Sequence, residues 1–505
     1  MLKVVVFLSG AALMALEMVG SRVLAPHFGN SIFVWGSLIS VFLTALSIGN
    51  YWGGNLADRA PRVSVLAALL VVPGAWTWLL PFFSTALCEW VASLDLGLRW
   101  GPLAASFLLF ALPSIFLGTV SPYAIRLEVQ SVESVGNTAG RLYALSTVGS
   151  IFGTLVGTFF LIPAMGVRNI VHTIGLLLLL LAAASFAFQH VRTKAGPRAR
   201  ALLLLPVVVI AALVAATPWS AAAPDVVYQK DSLYHRIIVR DAGSIRYLHF
   251  DNSYQSAINL ENPDVQVFAY TRYLHLSRLF APDARRLLFV GLGGGAAPSR
   301  FLRDYPDTLI DVVEIDPDVI RVAQTYFQLP QDERLRIYNA DGRRFIQQSR
   351  DVYDLIVLDA YFSDAIPFHL TTKEFLEEVR ARLGPGGVVT ANLIGAVSGP
   401  ESRLFRSMLK TYHEVFEQVY VFPVGQVLGV NDQAVRNIIV VATTSPERLS
   451  RAELRARAEA MRRSGAMRMD VWPYVADLIE EEIPTGGVPV LTDDFAPVDS
   501  LQHLL

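Results

Sequence analysis

Long apolar segments follow one another through the first 220 residues, and they constrain the fold of this chain more than any other feature. A helix needs about 20 consecutive, mostly apolar residues to cross a bilayer. Of the 42 basic and 44 acidic residues in the chain, residues 1–220 hold only 12 and 6. Seven segments are long enough, at residues 4–25, 32–54, 63–87, 100–122, 142–163, 169–190 and 201–219. The sequence therefore predicts an α-helical, multi-pass domain over 1–220 that is embedded in the lipid bilayer, and it excludes a fully soluble protein.

The charge of the remaining residues indicates a second part that is water-soluble and mildly acidic. Residues 221–505 carry 30 basic and 38 acidic side chains. A nucleic-acid partner is disfavoured, because this part has no basic excess that could neutralise phosphates. The single cysteine, Cys88, lies in the apolar part, and no Cys/His group has the spacing of metal ligands. We therefore expect neither nucleic acid nor a bound metal.

The second part begins with a short β-rich segment and continues with alternating strands and helices. Residues 234–241 and 245–251 are joined by Ala242-Gly243-Ser244, which predicts a β-hairpin in a small subdomain over 226–262. The pattern over 263–505 predicts helices at 264–280, 297–304, 317–327, 342–349 and 372–383, and strands at 286–291, 310–315, 334–338, 353–359 and 387–393. Such alternation is typical of an α/β, Rossmann-like, doubly wound sheet, which binds its ligand at the carboxyl ends of the strands.

Glycine or a carboxylate follows each of four predicted strands. The first strand ends in a glycine-rich turn, and Glu314 follows Gly291 by 23 residues, a position suited to the ribose hydroxyls of a nucleoside. The set consists of Gly291, Gly293, Gly295, Glu314, Asp316, Asp341, Gly342 and Asp359. Each carboxylate could instead cap a helix. A rim of carboxylates repels a pyrophosphate and attracts a cation, which favours a sulfonium nucleoside of the S-adenosylmethionine type.

Six runs of the second part resemble the spermidine synthase family, the polyamine aminopropyltransferases. They are residues 231–237, 248–255, 313–316, 340–342, 358–367 and 491–499. With apolar helices in front, the chain resembles the membrane-fused bacterial branch. The resemblance implies a sheet of the class I methyltransferase type with a C-terminal extension, and aminopropyl transfer from decarboxylated S-adenosylmethionine to putrescine or another amine. Methylthioadenosine would be the product, and a homodimer is possible.

The resemblance also implies roles for individual residues. Glu314 would hold the ribose, Asp341, Gly342 and Pro367 would lie at the adenine, Gln255 would lie near the sulfonium or the acceptor, and Asp359 would be the base. Substrate contacts would come from Asp364, Tyr234, His235 and Tyr270, although His235 could instead be a satisfied histidine of the hairpin. The chain departs from the family at Gly294, where relatives carry an aspartate that grips an amine. It also departs at 359–364, where the loop is longer.

Two other functions and the side of the membrane stay open. The second part could transfer methyl groups from S-adenosylmethionine, or it could be a non-enzymatic sensor or transporter gate. The loops between the second and third, fourth and fifth, and sixth and seventh segments carry eight basic residues, against three in the opposite loops. This bias places the N-terminus in the cytoplasm and, after seven crossings of the cell (inner) membrane, the catalytic part outside. A donor made in the cytoplasm favours the opposite side.

Overall fold

A computed structural model describes residues 1–29, 31–129, 131–162, 165–193, 225–360 and 366–502. The chain divides into two compact units, Met1–Ala222 and Ala223–Leu505. The first unit is helical, and the second contains two β-sheets with helices around the larger one.

The helices of the first unit pack through small residues. Gly149 and Gly153 lie against the carbonyl groups of Phe7 and Ala11, and a side chain at either glycine would collide with that backbone. Such contacts let two apolar helices approach closely. The helices are α1 (Leu2–Phe28), α2 (Ile32–Arg59), α3 (Val63–Ser93), α4 (Gly97–Gly118), α5 (Val120–Glu128), α6 (Val135–Val156) and α7 (Val167–Thr193), with a 3₁₀ turn at Val132–Ser134 and a π turn at Gly157–Leu161.

Six helical stretches of this unit are long and apolar enough to cross a membrane. They are Leu2–Phe28, Ile32–Arg59, Val63–Ser93, Arg99–Glu128, Val135–Leu161 and Val167–Phe188. Six of the seven predicted segments fall on these stretches. The seventh, at 201–219, lies outside the described residues.

The second unit begins with a four-stranded antiparallel sheet, where the sequence predicted only a hairpin. Its strands are β1 (Val226–Asp231), β2 (Arg236–Ala242), β3 (Ile245–Phe250) and β4 (Ser253–Asn259), in that spatial order. The predicted hairpin is the central pair. The outer strand β4 has serine, glutamine and asparagine among its seven residues, so its pattern is weak. It forms because Asp251, with φ +54°, turns the chain back at the end of β3.

The larger sheet has the predicted doubly wound topology. Its spatial order is β10-β11-β9-β8-β5-β6-β7, and β11 runs antiparallel to both of its neighbours. The central strands are continuous apolar runs because helices cover both faces: Leu287 and Phe289 enter one core, and Leu288 and Val290 enter the other. The strands are β5 (Arg286–Val290), β6 (Leu309–Glu314), β7 (Leu335–Asn339), β8 (Tyr353–Leu358), β9 (Leu383–Gly395), β10 (Gln418–Pro423) and β11 (Arg436–Thr443).

The helices of this unit follow the prediction except at its start. The expected helix at 264–280 is a short helix followed by a 3₁₀ segment, Leu274–Leu279. The first residues of the predicted helix form a turn instead, in which the side chain of Asn262 accepts the N–H of Asp264 and its carbonyl accepts the N–H of Val265. The helices are α8 (Ala269–Tyr273), α9 (Ala296–Asp304), α10 (Pro317–Tyr326), α11 (Gly342–Gln348), α12 (Lys373–Arg380), α13 (Arg403–Val415), α14 (Arg451–Ser464), α15 (Trp472–Val475) and α16 (Val498–Gln502).

Candidate active site

A cavity of about 690 Å³ lies at the carboxyl ends of the central strands. Strands β5 and β8 are neighbours there, and the chain continues from them towards opposite edges of the sheet. This arrangement is the switch point at which doubly wound sheets bind ligands. The turn after β5 and the two residues that directly follow β8, Asp359 and Ala360, line this cavity.

Gly291 brings these two segments into contact. Its φ of +102° strongly favours glycine, and a side chain there would collide with the carbonyl oxygen of Asp359. The N–H of Gly291 donates to the carbonyl of Val313, and the N–H of Asp359 donates to the carbonyl of Val290, both at 2.9 Å. The position of Asp359 is thus tied to the glycine turn.

Glu314 ends β6 and is buried in the cavity wall. Its Oε2 accepts the N–H of Leu292 at 3.1 Å, and its Oε1 accepts the N–H of Asp316 at 3.0 Å. Burial raises the pKa of Glu314, and these backbone donors oppose that rise. A carboxylate has about four lone-pair sites, so this side chain keeps acceptor capacity for a hydroxyl group.

Asp359 follows β8 and is held at both oxygens. The hydroxyl of Tyr270 donates to Oδ2 at 3.2 Å, and the amide of Asn392 donates to Oδ1 at 2.9 Å. Asn392 in turn accepts from the amide of Asn437 at 2.9 Å. Burial raises the pKa of Asp359, whereas the bonds from Asn392 and Tyr270 lower it. The result is an oriented carboxylate that is more basic than an exposed one.

Asp341 combines the two readings that the sequence left open, because it lines the cavity and also caps α11. Its Oδ1 accepts the N–H of Arg344 at 2.9 Å, and its Oδ2 lies 3.0 Å from Nε2 of His369. His369 also lines the cavity. Gly342 is required beside it, since a side chain there would meet Val290.

Asp493, from the C-terminal part of the chain, helps to hold the side of the cavity that contains Asp341 and His369. Arg343 forms paired hydrogen bonds with Glu378 and with Asp493, and it donates to the carbonyl of His369 at 3.3 Å. Asp493 also accepts the hydroxyl of Thr372 at 2.7 Å. The guanidinium of Arg343 lowers the pKa of Asp493.

Two predicted ligand-binding residues do not line the cavity, and a third is not described. Asp316 is buried and caps α10: it accepts the N–H of Asp318 at 2.9 Å and the hydroxyl of Ser232. Gly295, with φ +76°, caps α9, and a side chain there would collide with Leu329. Both positions have structural roles at the starts of helices, and their predicted contact with the ligand stays a prediction. Asp364 lies outside the described residues.

All of the remaining predicted residues line the cavity. They are Gly291, Gly293, Gln255, Pro367, Tyr234, His235 and Tyr270. His235 is buried, and its ring stacks on Phe250 with centroids 4.0 Å apart and planes 7° apart. It is therefore both a packed histidine and part of the cavity wall.

The sequence prediction missed His369, Asn392 and Asn437. Asn392 was within reach, because it lies near the end of the fifth predicted strand and thus at the same rim.

Comparison with known proteins gives the family. The spermine/spermidine synthase domain profile matches residues 267–427. The polyamine aminopropyltransferase of Vibrio vulnificus is 31% identical over 310 residues, which cover 59% of this chain and 99% of that protein. This chain belongs to the polyamine aminopropyltransferase family. The predicted family and the predicted enzyme class, a transferase of alkyl groups other than methyl, are thereby confirmed.

Two further similarities were found. The eEF1A lysine and N-terminal methyltransferase of Xenopus laevis is 33% identical over 184 residues, or 34% of this aminopropyltransferase-family chain and 25% of that protein. The crystal structure of a probable spermidine synthase from Corynebacterium glutamicum superposes with a TM-score of 0.45 at 22% identity, covering 56% of this chain and 99% of that one.

Proposed function

We propose that this protein transfers an aminopropyl group from decarboxylated S-adenosylmethionine to putrescine or another amine, with release of methylthioadenosine. The observation that carries the proposal is Asp359, a carboxylate oriented by Tyr270 and Asn392 in a cavity whose wall also holds Glu314. The family membership supports the same reaction.

The described residues fit a nucleoside. Glu314 has acceptor capacity for the ribose hydroxyls, and Gly291 and Gly293 line the cavity with backbone that no side chain covers. On the proposed assignment, Asp341, Gly342 and Pro367 face the adenine, and Gln255 lies near the sulfonium or the acceptor. The bound donor supplies a carbon that is activated by a positively charged sulfur.

Asp359 is the proposed catalytic base. An alkylammonium has a reference pKa of about 10, so the acceptor amine arrives protonated. The Asp359 carboxylate binds the ammonium and accepts its proton. The nitrogen forms the new N–C bond with its freed electron pair, and the C–S bond breaks so that its pair stays on the sulfur of the leaving methylthioadenosine. Tyr234, His235 and Tyr270 are proposed contacts of the acceptor, and so is Asp364.

The assay uses the full chain purified in detergent, incubated with decarboxylated S-adenosylmethionine and putrescine. Mass spectrometry should detect methylthioadenosine and the aminopropylated amine, and Asp359→Asn should remove both products. Transfer of a methyl group from complete S-adenosylmethionine, with no reaction of the decarboxylated donor, would instead assign the protein to the methyltransferases. Ligand-dependent transport that persists in Asp359→Asn would favour the sensor or gate.

We also propose that the apolar helices anchor the enzyme in the cell membrane, with residues 1–220 as the membrane part, 226–262 as the small sheet subdomain and 263–505 as the catalytic part. The six candidate spans support this division. Membrane fractionation tests the anchoring. A reporter fused after residue 505, active only on one side of the membrane, tests the side, and light scattering in detergent tests the homodimer.

A further inference from the structure

The segment that joins β1 to β2, residues 232–235, carries two side chains that line the cavity, Tyr234 and His235. This segment, the β1–β2 turn, belongs to the small sheet, whereas Asp359 follows a strand of the larger sheet. An apolar core packs the small sheet against α10. The position of the two side chains relative to Asp359 also depends on how the turn itself is attached.

Ser232 attaches the β1–β2 turn to the larger sheet. The side chain is buried, and its oxygen accepts the N–H groups of Tyr234 at 3.1 Å and His235 at 2.9 Å. The hydroxyl reaches two acceptors, Oδ2 of Asp316 and the carbonyl of His235. Its single proton favours the carboxylate, because a charged acceptor makes the stronger hydrogen bond. One hydroxyl group therefore holds the backbone of the turn and fastens it to Asp316.

Asp316 is itself fixed at the end of β6. Its Oδ1 accepts the N–H of Asp318 at 2.9 Å, at the start of α10. Its own N–H donates to Oε1 of Glu314 at 3.0 Å. A continuous series of hydrogen bonds thus leads from Glu314, the proposed ribose carboxylate, through Asp316 and Ser232 to the backbone of the β1–β2 turn.

We propose that Ser232 is a positioning residue, which keeps the β1–β2 turn in register with Asp359 so that Tyr234 and His235 can bind the acceptor amine. This step rests on the proposed function, in which these two side chains contact the acceptor. Without the Ser232 hydroxyl, the buried carboxylate of Asp316 loses a donor and two N–H groups of the turn lose their acceptor. Buried polar groups left in this way favour a shift of the turn towards other partners.

A positioning role and a purely structural role of Ser232 predict different kinetics. A variant that is partly unfolded has fewer active molecules, so its kcat per mole of total protein falls while its KM for the amine stays the same. A folded variant with a displaced turn binds the amine more weakly, so its KM rises. Its kcat at saturation depends on Asp359 and the bound donor and therefore changes little.

The decisive experiment measures the steady-state kinetics of Ser232→Ala in the full chain, with decarboxylated S-adenosylmethionine at saturation and putrescine varied. The KM for putrescine should rise about tenfold or more, and kcat should change less than about threefold. Asp316→Ala should raise the KM similarly, and the double variant should show little further rise, because both changes break the same bond. Ser244→Ala is the matched control: this serine lies in the turn between β2 and β3, is not among the described residues that line the cavity, and should leave both constants unchanged.

An unchanged KM in Ser232→Ala, whether or not kcat falls, would overturn the proposal while leaving aminopropyl transfer intact. Effects of Ser232→Ala and Asp316→Ala that multiply in the double variant would overturn it as well. Thermal melting shows whether each variant is folded at the assay temperature, and Asp316→Ala carries the same test if Ser232→Ala is not. If the unaltered protein binds methylthioadenosine but transfers an aminopropyl group to no amine, the proposed function is rejected, and this inference with it.

Discussion

The side-chain amide of Asn392 donates a 2.9 Å hydrogen bond to Oδ1 of Asp359, and it does so from the neighbouring strand of the sheet. Burial raises the pKa of Asp359, and this bond opposes the rise. Asn392 therefore adjusts how readily the proposed base accepts a proton, while Asn437 fixes the orientation of the Asn392 amide.

Replacing Asn392 should shift the pH dependence of the reaction. A base works only when it is deprotonated, so activity falls as the pH drops through the pKa of Asp359. Asn392→Leu removes a bond that lowers this pKa, and the acidic limb of kcat/KM should move upwards by about one pH unit. Tyr270→Phe should move the limb in the same direction. An unchanged limb in both variants would argue against Asp359 as the base.

Asp359→Asn should remove activity and stabilise the fold. We expect kcat to fall about 100-fold to 10,000-fold, as is usual when a general base is lost. The pKa of Asp359 is raised in the folded protein, so the folded state loses stability as the pH rises from the ordinary aspartate pKa through that raised value. Asparagine does not titrate, so the Asp359→Asn variant does not lose this stability as the pH rises. Its melting temperature should exceed that of the unaltered protein by a margin that grows with pH, and a lower melting temperature at pH 8 would contradict the account.

Glu314→Gln should weaken nucleoside binding, whereas the matching change at Asp316 should not. A glutamine NH2 would face the N–H of Leu292 or Asp316, and one acceptor for a ribose hydroxyl would be lost. The Kd of methylthioadenosine, measured by calorimetry, should rise about 10-fold to 100-fold. Asp316→Asn keeps the cap of α10 and should leave the Kd unchanged. A comparable loss in Asp316→Asn would mean that Asp316 contacts the ligand after all.

Asp493 should contribute to nucleoside affinity indirectly, through Arg343. Asp493→Asn weakens the pair with Arg343, which supports His369 and hence Asp341. We expect the KM of the donor to rise about threefold to tenfold with kcat at saturation unchanged. Asp494→Asn, an exposed neighbour in the same turn, is the matched control and should change neither value. If Asp493→Asn lowers only the melting temperature, the segment serves stability alone.

The central strands were predictable because helices bury both faces of β5, β6 and β8, which leaves continuous apolar runs in the sequence. The predicted strands at 286–291, 310–315 and 353–359 match those in the structure to within one residue at each end. The strand β4 was missed because polar side chains dominate it, and its formation depends on the turn at Asp251.

The candidate site was less predictable than the fold. Glu314 and Asp316 are both carboxylates at the end of one strand, and the sequence offered no means to tell the cavity residue from the helix cap. That difference depends on which side chain can reach the N–H groups of Leu292 and Asp318. The support of Asp341 was also hidden, because Arg343 and Asp493 are 150 positions apart in the chain and meet only after folding.

The contact between Gly291 and the carbonyl of Asp359 also limits how this enzyme can be engineered. The glycine turn after β5 and Asp359, the proposed base, share one steric boundary. A chimaera that takes either segment alone from another family member risks a mismatch at that boundary. Residues 290–296 and the loop that begins at 359 are best exchanged between homologues as a matched pair.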